Sequence, residues 1–203
     1  EHWNSTVIVI GPSAELAQRE RYSDFLGVSC HELFHTWNVI RLRPKEMTPY
    51  ELKKPNLHYT GFITEGVTTY YGDLILVRSN VYSLEEYIGE INKLLKRHFE
   101  NDGRKNYSVA ESSFDLWIDG YEKGTPGRKV SIYNEGALAA MIVDLTIRKK
   151  FDNKRSLDDV MRLMWQRHGK SMEGYNWRDY KKAVEDVLEE ATLEIPEGKY
   201  FHK

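Results

Sequence analysis

His31, Glu32, Leu33, Phe34 and His35 spell H-E-x-x-H, a string that can serve a metal only if the backbone around it is helical. On a helix, residues four apart stand on the same face one turn above each other, so both imidazoles can point at one tetrahedral zinc. The neighbouring residues meet that condition. Ser23 can cap a helix running through Phe25, Leu26, Cys30, His31, Phe34 and His35, and Pro44 prevents its indefinite continuation. Glu32 cannot ligate from the same turn without strain. Its carboxylate falls near the open coordination position, where it can take a proton from a water acidified by the cation. That is hydrolytic chemistry.

The bare string arises by chance in roughly one chain of this length in a hundred or two, so a third ligand is required to give it weight. Glu65, in Thr64-Glu65-Gly66 and flanked by Phe62, Ile63 and Val67, is the best candidate. A carboxylate among such neighbours is costly unless paired, and the competing reading is a buried ion pair. The separation from His35 allows a loop and an adjacent helix to return over the first one. A tetrahedral oxyanion also benefits from a donor beside the metal, and Tyr133, ahead of Asn134-Glu135-Gly136, is placed for that role. With 13 tyrosines in the chain, an aromatic core or surface role is the commoner reading of any one of them.

The chain of 203 residues is long enough for one domain with a core and too short for several independent catalytic units. Its 29 basic and 31 acidic residues give a net charge of −2 with no long block of one sign, which argues against a nucleic-acid partner. Hydrophobic content of 40% and charged content of 30% fit a water-soluble globule, and no apolar run is long enough to span a bilayer. The single cysteine, Cys30, cannot form an internal disulfide, so compartment and localisation stay unassigned, as does the oligomeric state. The start at Glu1 without methionine reads as a piece of a longer parent.

Along the chain, Val7 to Ile10 reads as one strand closed by Gly11 and Pro12, after which the pattern is mostly helical. A second long helix is expected from about Tyr59 to Val77, although Gly61, Gly66 and Gly72 weaken its propensity and packing must make up the difference. Ser83 and Glu86 form a capping box ahead of Leu84, Tyr87, Ile88, Ile91, Leu94 and Leu95 on one face. Gly103 to Gly127 reads as a partly ordered excursion that could wall a cleft. A very short strand at Val130 to Ile132 would precede a helix from about Glu135 to Lys150. Ser156 with Asp159, and Asn176 ahead of Trp177 to Glu190, open two closing helices before an irregular tail from Leu193 to Lys203.

The stretch from Cys30 through His31-Glu32-Leu33-Phe34-His35-Thr36-Trp37-Asn38 to Arg41-Leu42-Arg43-Pro44 closely resembles the active-site helix of the glycyl aminopeptidase family of zinc metallopeptidases. Glu65-Gly66-Val67-Thr68-Thr69-Tyr70-Tyr71-Gly72-Asp73-Leu74 is similar to that family's third-ligand helix, and the opening Glu1-His2-Trp3-Asn4 to the end of a Gly-Gly-x-Glu-His motif. Leu33 and Thr36 stand where the family commonly has Tyr and Leu, neither at a ligand position.

The resemblance implies a mainly α (α+β) fold, the thermolysin-like zincin catalytic domain, with one or a few short strands near the N-terminus, and residues 1–203 as a single catalytic domain without the flanking β-rich and PDZ-like domains. It implies His31, His35 and Glu65 as zinc ligands and Glu32 as general base. Tyr133, in a matching Tyr-x-x-Gly, would bind the oxyanion, and Glu1 would receive the substrate's free α-ammonium. The expected partner is then a peptide with a free N-terminus and a small first residue, glycine or alanine. Two other readings stand beside the aminopeptidase: a zinc endopeptidase of the same fold, and a catalytically silent peptide-binding or scaffold domain.

Overall fold

A computed structural model describes residues 2–49, 51, 53–116 and 127–189. Helix α1 spans Arg19–Phe34. A π turn, Phe62–Val67, runs without a break into α2, Thr68–Arg78. Helices α3 (Leu84–Glu100), α4 (Val109–Phe114), α5 (Ile132–Lys150), α6 (Leu157–Met164, prolonged by a π turn at Trp165–Gly169) and α7 (Trp177–Leu188) follow. The mainly α expectation holds.

The π turn and α2 lie at the centre. On one side α2 packs along α1, while α5 lies against the π turn and α2 on the other; α3 crosses α2 and α5, and the α6–α7 pair closes the far end of α5. The core is drawn from all of these, with Ile63, Ile147, Leu157, Val160 and Met164 essentially fully buried. Each such side chain contributes about 1.5–3 kcal/mol relative to exposure. That outweighs the roughly 1 kcal/mol each that Gly61, Gly66 and Gly72 cost in propensity, so packing decides that this glycine-rich segment is helical. The buried Asp144 fastens three helices, accepting from the Tyr70 hydroxyl, Arg148 Nε and the Leu157 amide, each at 2.7 Å.

The capping boxes of α3, α6 and α7 form as the sequence indicates. Other elements differ from expectation. Helix α1 begins at Arg19 rather than at Ser23; its first turn is held from outside, by an ion pair of Arg19 with Glu86 of α3. Val7 to Ile10 makes no ladder with any described segment; Val7 and Val9 face solvent. Isolated bridges, Asn38 with Leu42 and Pro44 with Tyr175, are the β pairing among the described residues. Nor is there a strand at Val130 to Ile132: the Ser131 hydroxyl accepts from the Asn134 amide and starts α5 at Ile132. The excursion contains a 3-10 turn at Asp102–Lys105 and α4, whose Ser108–Glu111 capping box was in the sequence to be read. The tail from Leu193 lies outside the described residues.

Candidate metal centre

The last turn of α1 carries His31 and His35, and the π turn brings Glu65 across to them. His31 Nε2 and His35 Nε2 stand 2.9 Å apart, and Glu65 Oε2 lies 3.2 Å from the first and 3.3 Å from the second. Burial would push the Glu65 carboxyl up, but hydrogen bonds and charge from His31 and His35 outweigh it and bring the group down to about 2. Glu65 is therefore a carboxylate at any physiological pH.

Contacts of the outer nitrogens fix how the two rings are turned. His35 Nδ1 is 2.8 Å from the carbonyl oxygen of Asn38, which can only accept, so Nδ1 carries the proton. His31 Nδ1 makes a longer contact, 3.4 Å, to Thr69 Oγ1, whose own hydrogen is given to the Glu65 carbonyl at 2.8 Å. Thr69 accordingly accepts from His31 as well. With the outer nitrogens so engaged, the two Nε2 atoms are turned toward each other and toward a carboxylate oxygen. Two ring nitrogens and a carboxylate oxygen converge on one point, a donor set whose residue types and spacing fit a divalent cation.

The spacing suits a small tetrahedral ion: ligands at zinc distances lie about 3.3 Å from one another in a tetrahedron, close to the observed triangle. Glu32 is also within reach, since ligand atoms of His31, Glu32 and His35 all fall within 4.8 Å of one another. Glu65 is the better candidate for a third ligand because its oxygen already touches both imidazoles, whereas Glu32 Oε2 accepts a hydrogen bond from Thr6 Oγ1 at 3.3 Å. Glu32 thus stands beside the triangle, facing the N-terminal segment.

Tyr133, in the first turn of α5, lies alongside His31 with ring centroids 6.2 Å apart. Its approach depends on two glycines. A Cβ on Gly66 would lie 2.3 Å from Gly136 Cα, and one on Gly136 would lie 2.5 Å from the Phe62 carbonyl oxygen. Only the absence of both side chains lets α5 close on the π turn, and Tyr133 shares a helix face with Gly136. His31, His35, Glu65, Glu32 and Tyr133 are thus gathered at one place. Glu1 lies outside the described residues.

Reading the sequence assigned nothing to Thr69 or Asn38. Thr69 sits four residues after Glu65, a helical spacing that could have flagged it, but its use for His31 is a contact between helices.

Against known proteins, the sequence model of the M61 glycyl aminopeptidase family matches residues 24–139. A crystal structure of an aminopeptidase N family protein from Idiomarina loihiensis is similar to the chain, with TM-score 0.77 and 31% identity over 84% of this chain and 32% of that one. The chain therefore spans about a third of the length of that structure. No curated protein matches.

Proposed function

The chain belongs to the M61 glycyl aminopeptidase family, and from that premise we propose that residues 1–203 form one catalytic domain of a zinc-dependent aminopeptidase. The convergence of His31 Nε2, His35 Nε2 and Glu65 Oε2 is the observation that carries this reading. Zinc held by this set would supply Lewis-acid polarisation of the scissile carbonyl and acidify water.

The chain's own groups do the rest. Glu32, one residue beyond His31 and beside the triangle, accepts the proton of the attacking water and passes it to the leaving amine. Tyr133, whose ring lies alongside His31, offers its phenol hydrogen to the oxyanion. Glu1 receives the α-ammonium of the substrate, a peptide with a free N-terminus whose first residue is small, glycine or alanine.

Metal analysis of the purified chain is the first test: one zinc per chain is expected, and none in His31→Ala. Retention of stoichiometric zinc by His31→Ala would remove the site assignment. Glu32→Gln should keep the metal and lose hydrolysis by about 10²–10⁴-fold, the scale of a general base. Peptides with free and acetylated N-termini separate exopeptidase from endopeptidase, since a site that reads the amine rejects the blocked substrate.

A further inference from the structure

Asn38 is completely buried four residues beyond the motif helix, and it contacts both halves of the metal centre. Its backbone carbonyl takes the His35 Nδ1 proton at 2.8 Å. Its side-chain amide nitrogen reaches the carbonyls of Ile63 and Thr64, at 3.1 and 3.2 Å, and the Thr68 hydroxyl at 3.0 Å. The Thr68 hydroxyl donates in turn to the Thr64 carbonyl at 2.6 Å, so toward Asn38 it acts as an acceptor. Three acceptors on one side fix the amide's orientation.

The carbonyls concerned are those immediately before Glu65, in the π turn. A π turn displaces carbonyls from the regular ladder, and the Asn38 amide, its two hydrogens shared among these carbonyls and the Thr68 hydroxyl, holds them in place. The other end of the same amide is unsatisfied: Asn38 Oδ1 is buried with no hydrogen-bond partner. A core that keeps an amide while leaving its oxygen unpaired is using the nitrogen for something a leucine could not do.

We propose that Asn38 is a positioning residue of the metal centre, binding the end of α1 to the π turn so that His35 and Glu65 meet at the distance a divalent cation requires. This rests on the metallopeptidase reading above. Asn38 touches neither ion nor substrate; it acts through the two ligands it orients.

The test compares zinc affinity, by competition with a chromogenic chelator, and the visible spectrum of the cobalt-loaded chain across variants. Asn38→Ala should weaken zinc binding by about 10–100-fold, the range for lost outer-shell partners, and shift the cobalt bands. Asn38→Ser, with one hydroxyl donor, should fall between Ala and parent, and it carries the test if the Ala variant does not fold. Tyr70→Phe is the control: it removes the buried Tyr70–Asp144 bond from the same helix and should lower the unfolding midpoint while leaving zinc affinity within about twofold and the cobalt spectrum unchanged. Parental affinity and spectrum in the folded Asn38 variants would overturn the inference. Failure of the parent chain itself to bind zinc would overturn the metal reading, and the inference with it.

Discussion

The helices that build the centre and those that surround it are specified in different ways. Around the periphery, α3, α4, α6 and α7 each open with a reciprocal capping box: Ser83 with Glu86, Ser108 with Glu111, Ser156 with Asp159, Asn176 with Asp179. Their starts are written within four residues of sequence. By contrast α1 and the π turn have no side-chain cap. The inner segments are held by contacts between elements: Arg19 with Glu86, Asn38 with the π turn, the Ser113 hydroxyl accepting from the Phe62 amide at 3.0 Å, and the meeting of Gly66 with Gly136. Local chemistry starts the outer helices, whereas tertiary chemistry aims the inner ones.

The contrast is broken most severely by adding one methyl group at its centre. Gly66→Ala should force α5 off the π turn, lowering stability by about 3 kcal/mol as overpacking and displacing Tyr133 enough to cut turnover by about 100-fold. Denaturant unfolding and peptidase assays measure the two together; an Ala variant with parental stability would show that the glycine contact does not set the helix spacing.

Asp73 tests the seam between the regions, facing Gly27 and Cys30 of α1 and feeling Glu90 and Lys93 of α3. Burial, then the Glu90 charge, push its carboxyl up to about 7, against a partial opposing effect of Lys93. A raised folded-state value means that the folded chain holds the proton more tightly. Stability is then greatest below the unfolded value near 4 and falls as pH rises through 7. Asp73→Asn should remove that fall, so the variant gains on the parent by a few kcal/mol at pH 8 and the gap narrows toward pH 5. Unfolding curves of both proteins at the two values check it, and a gap that widens on acidification would contradict it.

The periphery should respond weakly and locally. Ser83→Ala removes the α3 cap and should cost about 1 kcal/mol without changing zinc content or turnover. Gly89, with nothing within 4 Å of where a Cβ would stand, offers the smallest effect: Gly89→Ala should stabilise α3 by about 0.5–1 kcal/mol, seen as a raised thermal midpoint with parental activity.

The same division explains what is legible in the sequence. Ser83, Ser156 and Asn176 declare their helices because both partners of each box are close in sequence. His31 and His35 are legible because a helix puts them one turn apart. Glu65 was reachable as a charged residue among Phe62, Ile63 and Val67, a setting that demands partners. The π turn was not legible, since it answers to Gly136 and Asn38, which lie far along the chain. The same is true of Thr69 as the acceptor for His31. The apolar run at Val7 to Ile10 has the composition of a strand, but a strand exists only with a neighbour to bond, and no described segment provides one. At Val130 the β-branched signal yielded to a serine whose hydroxyl began a helix one residue later.

Phe62–Val67 winds more loosely than an α-helix, with a surplus residue in its circuit. Each residue of an α-helix turns the chain by about 100°. Deleting a single residue there would give a more regular spiral, yet rotate one flank against the other by about that angle and carry Glu65 away from the two imidazoles. In this stretch the residue count itself is a functional property, and shortening it by one would be harsher than most exchanges of side chain.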